Sequence, residues 1–131
     1  METVQLAVVG AHLQGMPLHW QLSSRDARFV RAAKTAPNYR LYAMANSTPL
    51  KPALVHAKDG APIEVEIFEL DIAAFGSFVA EVPAPLAIGT LTLDDGSEVK
   101  GFVAEPRATE GAEDITALGG WRAFVASKTT P

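Results

Sequence analysis

Residues 4–9, VQLAVV, form an almost unbroken apolar run of strand length, the pattern of a central strand covered on both faces. A glycine loop follows, and Pro17 stands where a first helical turn tolerates it, so residues 18–22 are expected to form a short helix before the polar Ser23-Ser24-Arg25-Asp26 break. Residues 27–36 alternate as a strand, with Phe29, Arg31 and Ala33 on one face and Arg28, Val30 and Ala32 on the other. Residues 39–45 make another, after the Pro37-Asn38 turn. A loop with two prolines spans 46–52. Residues 53–57 and 63–70 flank Asp59-Gly60 as a hairpin whose wet side carries Glu64, Glu66 and Glu69. Asp71 caps a helix in which Ile72, Phe75, Phe78 and Val79 recur at helical spacing, and Pro83 and Pro85 end it. Residues 88–93 and 98–105 form a second hairpin around Asp94-Asp95-Gly96. Residues 114–127 supply a terminal helix or strand laid over the core. Many strands and one clear helix predict an α+β fold on a closed or strongly curved sheet, with no internal repeat and no linker.

Composition narrows the classes. At 131 residues, about half apolar, the chain is expected to be a single domain, 1–131, able to bury roughly two-thirds of its unfolded surface. With no cysteine there is no thiolate nucleophile and no disulfide framework, and a cytoplasmic address is the default expectation. The N-terminal residues lack a basic leader and a cleavage site, and no apolar run reaches membrane-spanning length, so a soluble protein without a membrane partner is expected. The net charge of −4, with scattered Lys and Arg, argues against nucleic acid.

Five places carry candidate chemistry. In VVGAHLQGMPLHWQL, Gly10 and Gly15 open backbone conformations closed to other residues, so the amides between them are able to form an anion-holding nest with His12 inside it. The loop equally reads as a strand-to-helix turn whose His caps a carbonyl. His19 and His56 lie on unrelated elements without ligand spacing, so no metal site is expected. Glu81, at the helix end, is either a solvated carboxylate or a partly buried general base. Arg40 and Tyr42 share a strand face and offer a guanidinium and a phenol to a carboxylate, or else form a salt bridge and a core aromatic. In Gly119-Gly120-Trp121-Arg122, packing is the simpler role for Trp121, while Arg122 stays open. No Gly-x-Ser-x-Gly elbow or phosphate-binding Gly-x-x-x-x-Gly-Lys loop is present.

Four blocks in order, VVGAHLQGMPLHWQL, KTAPNYRLYAM, EVPAPLAIGTLTLDDGSEVKGFVAE and DITALGGWRAFVAS, resemble the C-terminal domain of allophanate hydrolase over almost all of the chain. The resemblance implies the gamma-glutamylcyclotransferase-like fold, a small mixed barrel with flanking helices. In that superfamily a Tyr-Gly-Ser-Leu loop holds the substrate carboxylate; here Val9-Gly10-Ala11-His12 takes its place and keeps only the glycine. Glu81 falls near the position of the superfamily's catalytic glutamate. In allophanate hydrolase an amidase domain releases ammonia and the C-terminal domain decarboxylates the resulting N-carboxycarbamate, with the loop histidine implicated; His12 matches it. Where that family usually has Asn after Met-Pro-Leu, this chain has His19.

The residues and the resemblance together give His12 and Glu81 as catalytic candidates, with Gly10, Ala11, Leu13, Arg40, Tyr42 and Arg122 as substrate-binding candidates. The resemblance implies a small carboxylated substrate, a separate amidase as partner, no cofactor, and no amidase activity in this chain, which has no Gly-Ser-Ser-Gly segment. Three readings stay open: a decarboxylase-like protein of urea and allophanate breakdown, a cyclotransferase using Glu81, and a non-catalytic module that binds an amidase or forms a homodimer.

Overall fold

The computed structural model describes residues 2–129. A five-stranded mixed sheet has the order β2-β5-β1-β7-β6, built from β1 (Thr3–Val8), β2 (Arg28–Lys34), β5 (Glu64–Asp71), β6 (Leu86–Thr92) and β7 (Glu98–Ala104). β1 lies in the middle, antiparallel to β5 and parallel to β7. Its residues Leu6, Ala7 and Val8 are fully buried, which is why the sequence there shows no polar alternation. A second sheet has the order β4-β3-β8, from β3 (Tyr39–Ala43), β4 (Pro52–His56) and the two-residue β8 (Glu113–Asp114).

The larger sheet curves until its two outer strands meet at one end. The Ala36 amide donates to the Thr92 carbonyl at 2.9 Å, and the Asp94 amide donates to the Lys34 carbonyl at 3.0 Å. The sheet is thus strongly curved and barrel-like without closing. Among the described residues three α-helices flank the sheets: α1 (Trp20–Ser23), α2 (Ile72–Ala80) and α3 (Trp121–Thr129). Phe78 of α2 and Trp121 and Phe124 of α3 are buried in one core with Leu6, Leu22, Ile67 and Leu91.

The second expected hairpin forms as β6–β7, paired antiparallel from Leu86–Ala104 to Thr92–Glu98. The first does not. β4 pairs with β3, and β5 joins the other sheet. The cause lies between them. The amides of Ala57 and Ala61 donate to the carbonyls of Asn38 and Tyr39, at 2.8 Å each, which lays the segment over the start of β3 instead of folding it into a two-residue turn. Gly60 is needed there for close approach, since a Cβ would stand 2.3 Å from the Tyr39 carbonyl oxygen.

Two strand faces also differ from simple alternation. A bulge between Phe29 and Arg31 places Arg28, Arg31 and Ala33 opposite Glu69, Ile67 and Val65, and Phe29, Ala32 and Lys34 opposite Phe68, Glu66 and Glu64. The glutamates of β5 do not share one wet side either. Glu69 sits opposite Arg28 and accepts from the Thr3 hydroxyl, whereas Glu66 points to the other face with its side chain only 13% exposed.

Candidate functional site

The chain leaves β1 at Val8 and folds into a compact loop. The Leu13 amide donates to the Gly10 carbonyl, Met16 to Leu13, and Leu18 to Ala11, at 2.8–3.0 Å. Gly15 has φ +82°, a left-handed turn residue as expected. Gly10 is glycine for another reason: a Cβ there would lie 2.1 Å from Cδ of Pro52. The loop does gather amides, yet one is already occupied from within. Glu66 accepts from the Gln14 amide at 2.9 Å and from Arg122 at 2.7 Å, while Arg122 also donates to the Gln14 carbonyl at 2.8 Å. Among the described residues, the amides of Ala11 and His12 have no acceptor within the protein.

His12 is buried, with 8% of its surface exposed. Its ring stacks on Phe102 of β7 (centroids 4.9 Å apart) and meets the edge of Phe78 of α2 (5.2 Å). Nε2 donates to Gln21 Oε1 at 2.8 Å, which leaves the lone pair on Nδ1. Burial lowers its pKa to about 4; the Gln21 bond opposes the fall, and the charges of Lys51 and His19 add to it. The imidazole is neutral at physiological pH. His19 Nδ1 donates to the His12 carbonyl at 2.9 Å, which fixes the loop from the side of α1.

A cavity of about 220 Å³ opens at this ring, lined by His12, Gln21, Pro49, Lys51, Glu81 and Phe102 among others. A narrow recess beside it shares His12, Lys51 and Phe102 and reaches Gly10 and Ala11. Four of the sequence candidates, Gly10, Ala11, His12 and Glu81, are thereby brought together. Glu81 is not a secluded carboxylate: it follows α2, its side chain is half exposed, and it pairs with Arg25 at 2.8 Å.

The other candidates lie elsewhere. Arg40 is bound to Asp114 at 2.8 Å and donates to the Asp59 carbonyl, with Tyr42 on the same face of β3; neither lines the His12 cavity. Leu13 and Arg122 border a separate cavity, and Arg122 serves as the latch on Gln14. Replacing Arg122 with Ala is expected to cost about 1–2 kcal/mol in urea denaturation, because it strips partners from the Gln14 carbonyl and the mostly buried Glu66.

Sequence reasoning missed Lys51 and Gln21. Lys51 stands in TPLKP, a lysine held between two prolines, and that rigid setting was the available signal. Its ammonium has no ion-pair partner among the described residues. Gln21 carries no signal of its own, since only the fold brings α1 over the loop.

Comparison with known proteins agrees with this frame. The chain is 42% identical over 127 residues to urea amidolyase of Saccharomyces cerevisiae, covering 93% of this chain and 7% of that protein. The crystal structure of Kluyveromyces lactis allophanate hydrolase superposes with a TM-score of 0.93 at 41% identity, over 98% of this chain and 22% of that one. A uropathogenic E. coli-specific protein superposes at 0.89 and 37% identity, over 96% and 98% of the two chains. A gamma-glutamyl cyclotransferase shares the fold at 12% identity, with a TM-score of 0.60 over 86% of this chain and 70% of that one. The chain thus spans a small part of its curated relative, and among the described residues no helix is long and apolar enough to cross a membrane. The family model for the allophanate hydrolase C-terminal domain matches residues 4–126, and the chain belongs to that family.

Proposed function

We propose that this chain decarboxylates a small N-carboxylated amide, of the N-carboxycarbamate type, beside a separate amidase in the cytoplasm. The observation that carries the reading is the meeting, in one cavity of about 220 Å³ and its recess, of a neutral buried His12, an uncommitted Lys51 ammonium and two unpaired amides. Cation and amides suit carboxylates, and the small volume suits a substrate of few heavy atoms.

The chemistry follows from the electrostatics. A dianion seated beside His12 reverses the sign of the local field and raises the imidazole's pKa, so the ring takes up a proton as the substrate binds. The C–N bond to one carboxylate then breaks, CO2 leaves, and the electron pair left on nitrogen accepts the proton that His12 holds. Lys51 and the amides of Ala11 and His12 keep the retained carboxylate in place throughout. Glu81, paired with Arg25, lines the cavity. The cyclotransferase reading requires a free carboxylate base, and the ion pair to Arg25 does not favour it.

The test is ammonia and CO2 release from allophanate by a bare amidase domain, with and without this protein. Faster CO2 release is expected, reduced about 100-fold by His12→Ala and about tenfold by Lys51→Ala. Equal CO2 release with and without the wild-type protein would reject the reading.

A further inference from the structure

A larger cavity, about 650 Å³, shares no lining residue with the His12 cavity. It opens between the outer strand β2, strand β5, Leu13 and the start of α3. Buried Leu13 and Trp121 give it an apolar floor. Its charged walls balance, with Arg31, Lys34 and Arg122 against Glu64, Glu66 and Asp94.

Three of those charges, Lys34, Glu64 and Asp94, have no ion-pair partner among the described residues. Lys34 and Glu64 stand directly opposite each other in the β2–β5 register, where opposite charges ordinarily pair, yet they form no ion pair. Neither side chain has another charged partner among the described residues. A simple anion entering the cavity meets three carboxylates, and a simple cation meets three basic groups. A net-neutral ligand carrying one charge of each sign avoids both penalties.

We propose that this cavity binds a free α-amino acid with an apolar side chain, its carboxylate on Lys34, its ammonium on Glu64, and its side chain over Leu13 and Trp121. The Glu66–Arg122 latch on Gln14 lies in the same wall, so occupancy registers in the backbone two residues from His12. The site stands independently of the decarboxylase reading, because its test measures binding alone.

The test titrates L-leucine into the full chain while amide and indole NMR resonances are followed. Saturable shifts of the Trp121 indole and the Gln14 amide are expected, with a Kd of about 1–10 mM, in keeping with exposed charge pairs. Lys34→Ala and Glu64→Gln should each weaken binding about fivefold or more. On the unaltered protein, N-acetyl-leucine and leucine amide, each lacking one of the two charges, should bind about fivefold more weakly than leucine. Absence of saturation up to about 50 mM, or equal binding of the two blocked ligands and leucine, overturns the proposal.

Discussion

Acidification from about pH 7.5 to about pH 4 is expected to remove about 3 kcal/mol of stability through His12 alone. In the unfolded chain this imidazole titrates at its ordinary value of 6.5, whereas burial between Phe102 and Phe78 lowers the folded value to about 4. Between those values the unfolded chain binds more protons than the folded protein, so acid favours unfolding. The contribution is complete above the unfolded pKa, drains as pH falls toward the folded one, and below both values loses nothing further. Urea denaturation of wild type and His12→Gln at the two pH values measures it. Wild type should lose about 3 kcal/mol more than the variant on acidification. Equal losses would mean that the folded protein protonates this ring as readily as water does.

Replacing Gly10 with Ala should cost about 3 kcal/mol or more, near the upper end for overpacked sites. The added carbon would stand 2.1 and 2.2 Å from Cδ and Cγ of Pro52, a rigid ring at the start of β4 that has no rotamer in which to retreat. The strand must shift, and Lys51, its neighbour in sequence, shifts with it. The thermal midpoint should therefore fall and, on the proposed function, CO2 release should fall with it. Gly15→Ala is the control: it has open space around it and φ +82°, so it should cost only about 1 kcal/mol of backbone strain. A Gly10→Ala protein as stable as wild type would show that β4 is not held against the loop.

Much of this arrangement was legible in the chain. The β1 run, the helix that starts after Asp71 and the β6–β7 hairpin follow from local patterns and are all present, although Asp71 makes no side-chain capping bond. The failures have a common physical source, in partners distant along the chain. Asp59-Gly60 carries a hairpin signal, but hydrogen bonds to Asn38 and Tyr39 override it. Arg40 and Arg122 resemble carboxylate binders until Asp114, 74 residues from Arg40, and Glu66, 56 residues from Arg122, claim them. His12 drew notice in the sequence because a histidine between two glycines is locally unusual. The cation it shares a cavity with did not, because Lys51 arrives from the other sheet's β3–β4 connection.

The central position of β1 bears on how the protein is made. Its two neighbours start at Glu64 and Glu98, so both are synthesised long after it. At ribosomal speeds of about 5–20 residues per second, the apolar run waits for seconds with both edges bare. Over that interval its edges are open to a chaperone or to aggregation, and the His12 ring gains its stacking partner only after β7 has emerged to supply Phe102.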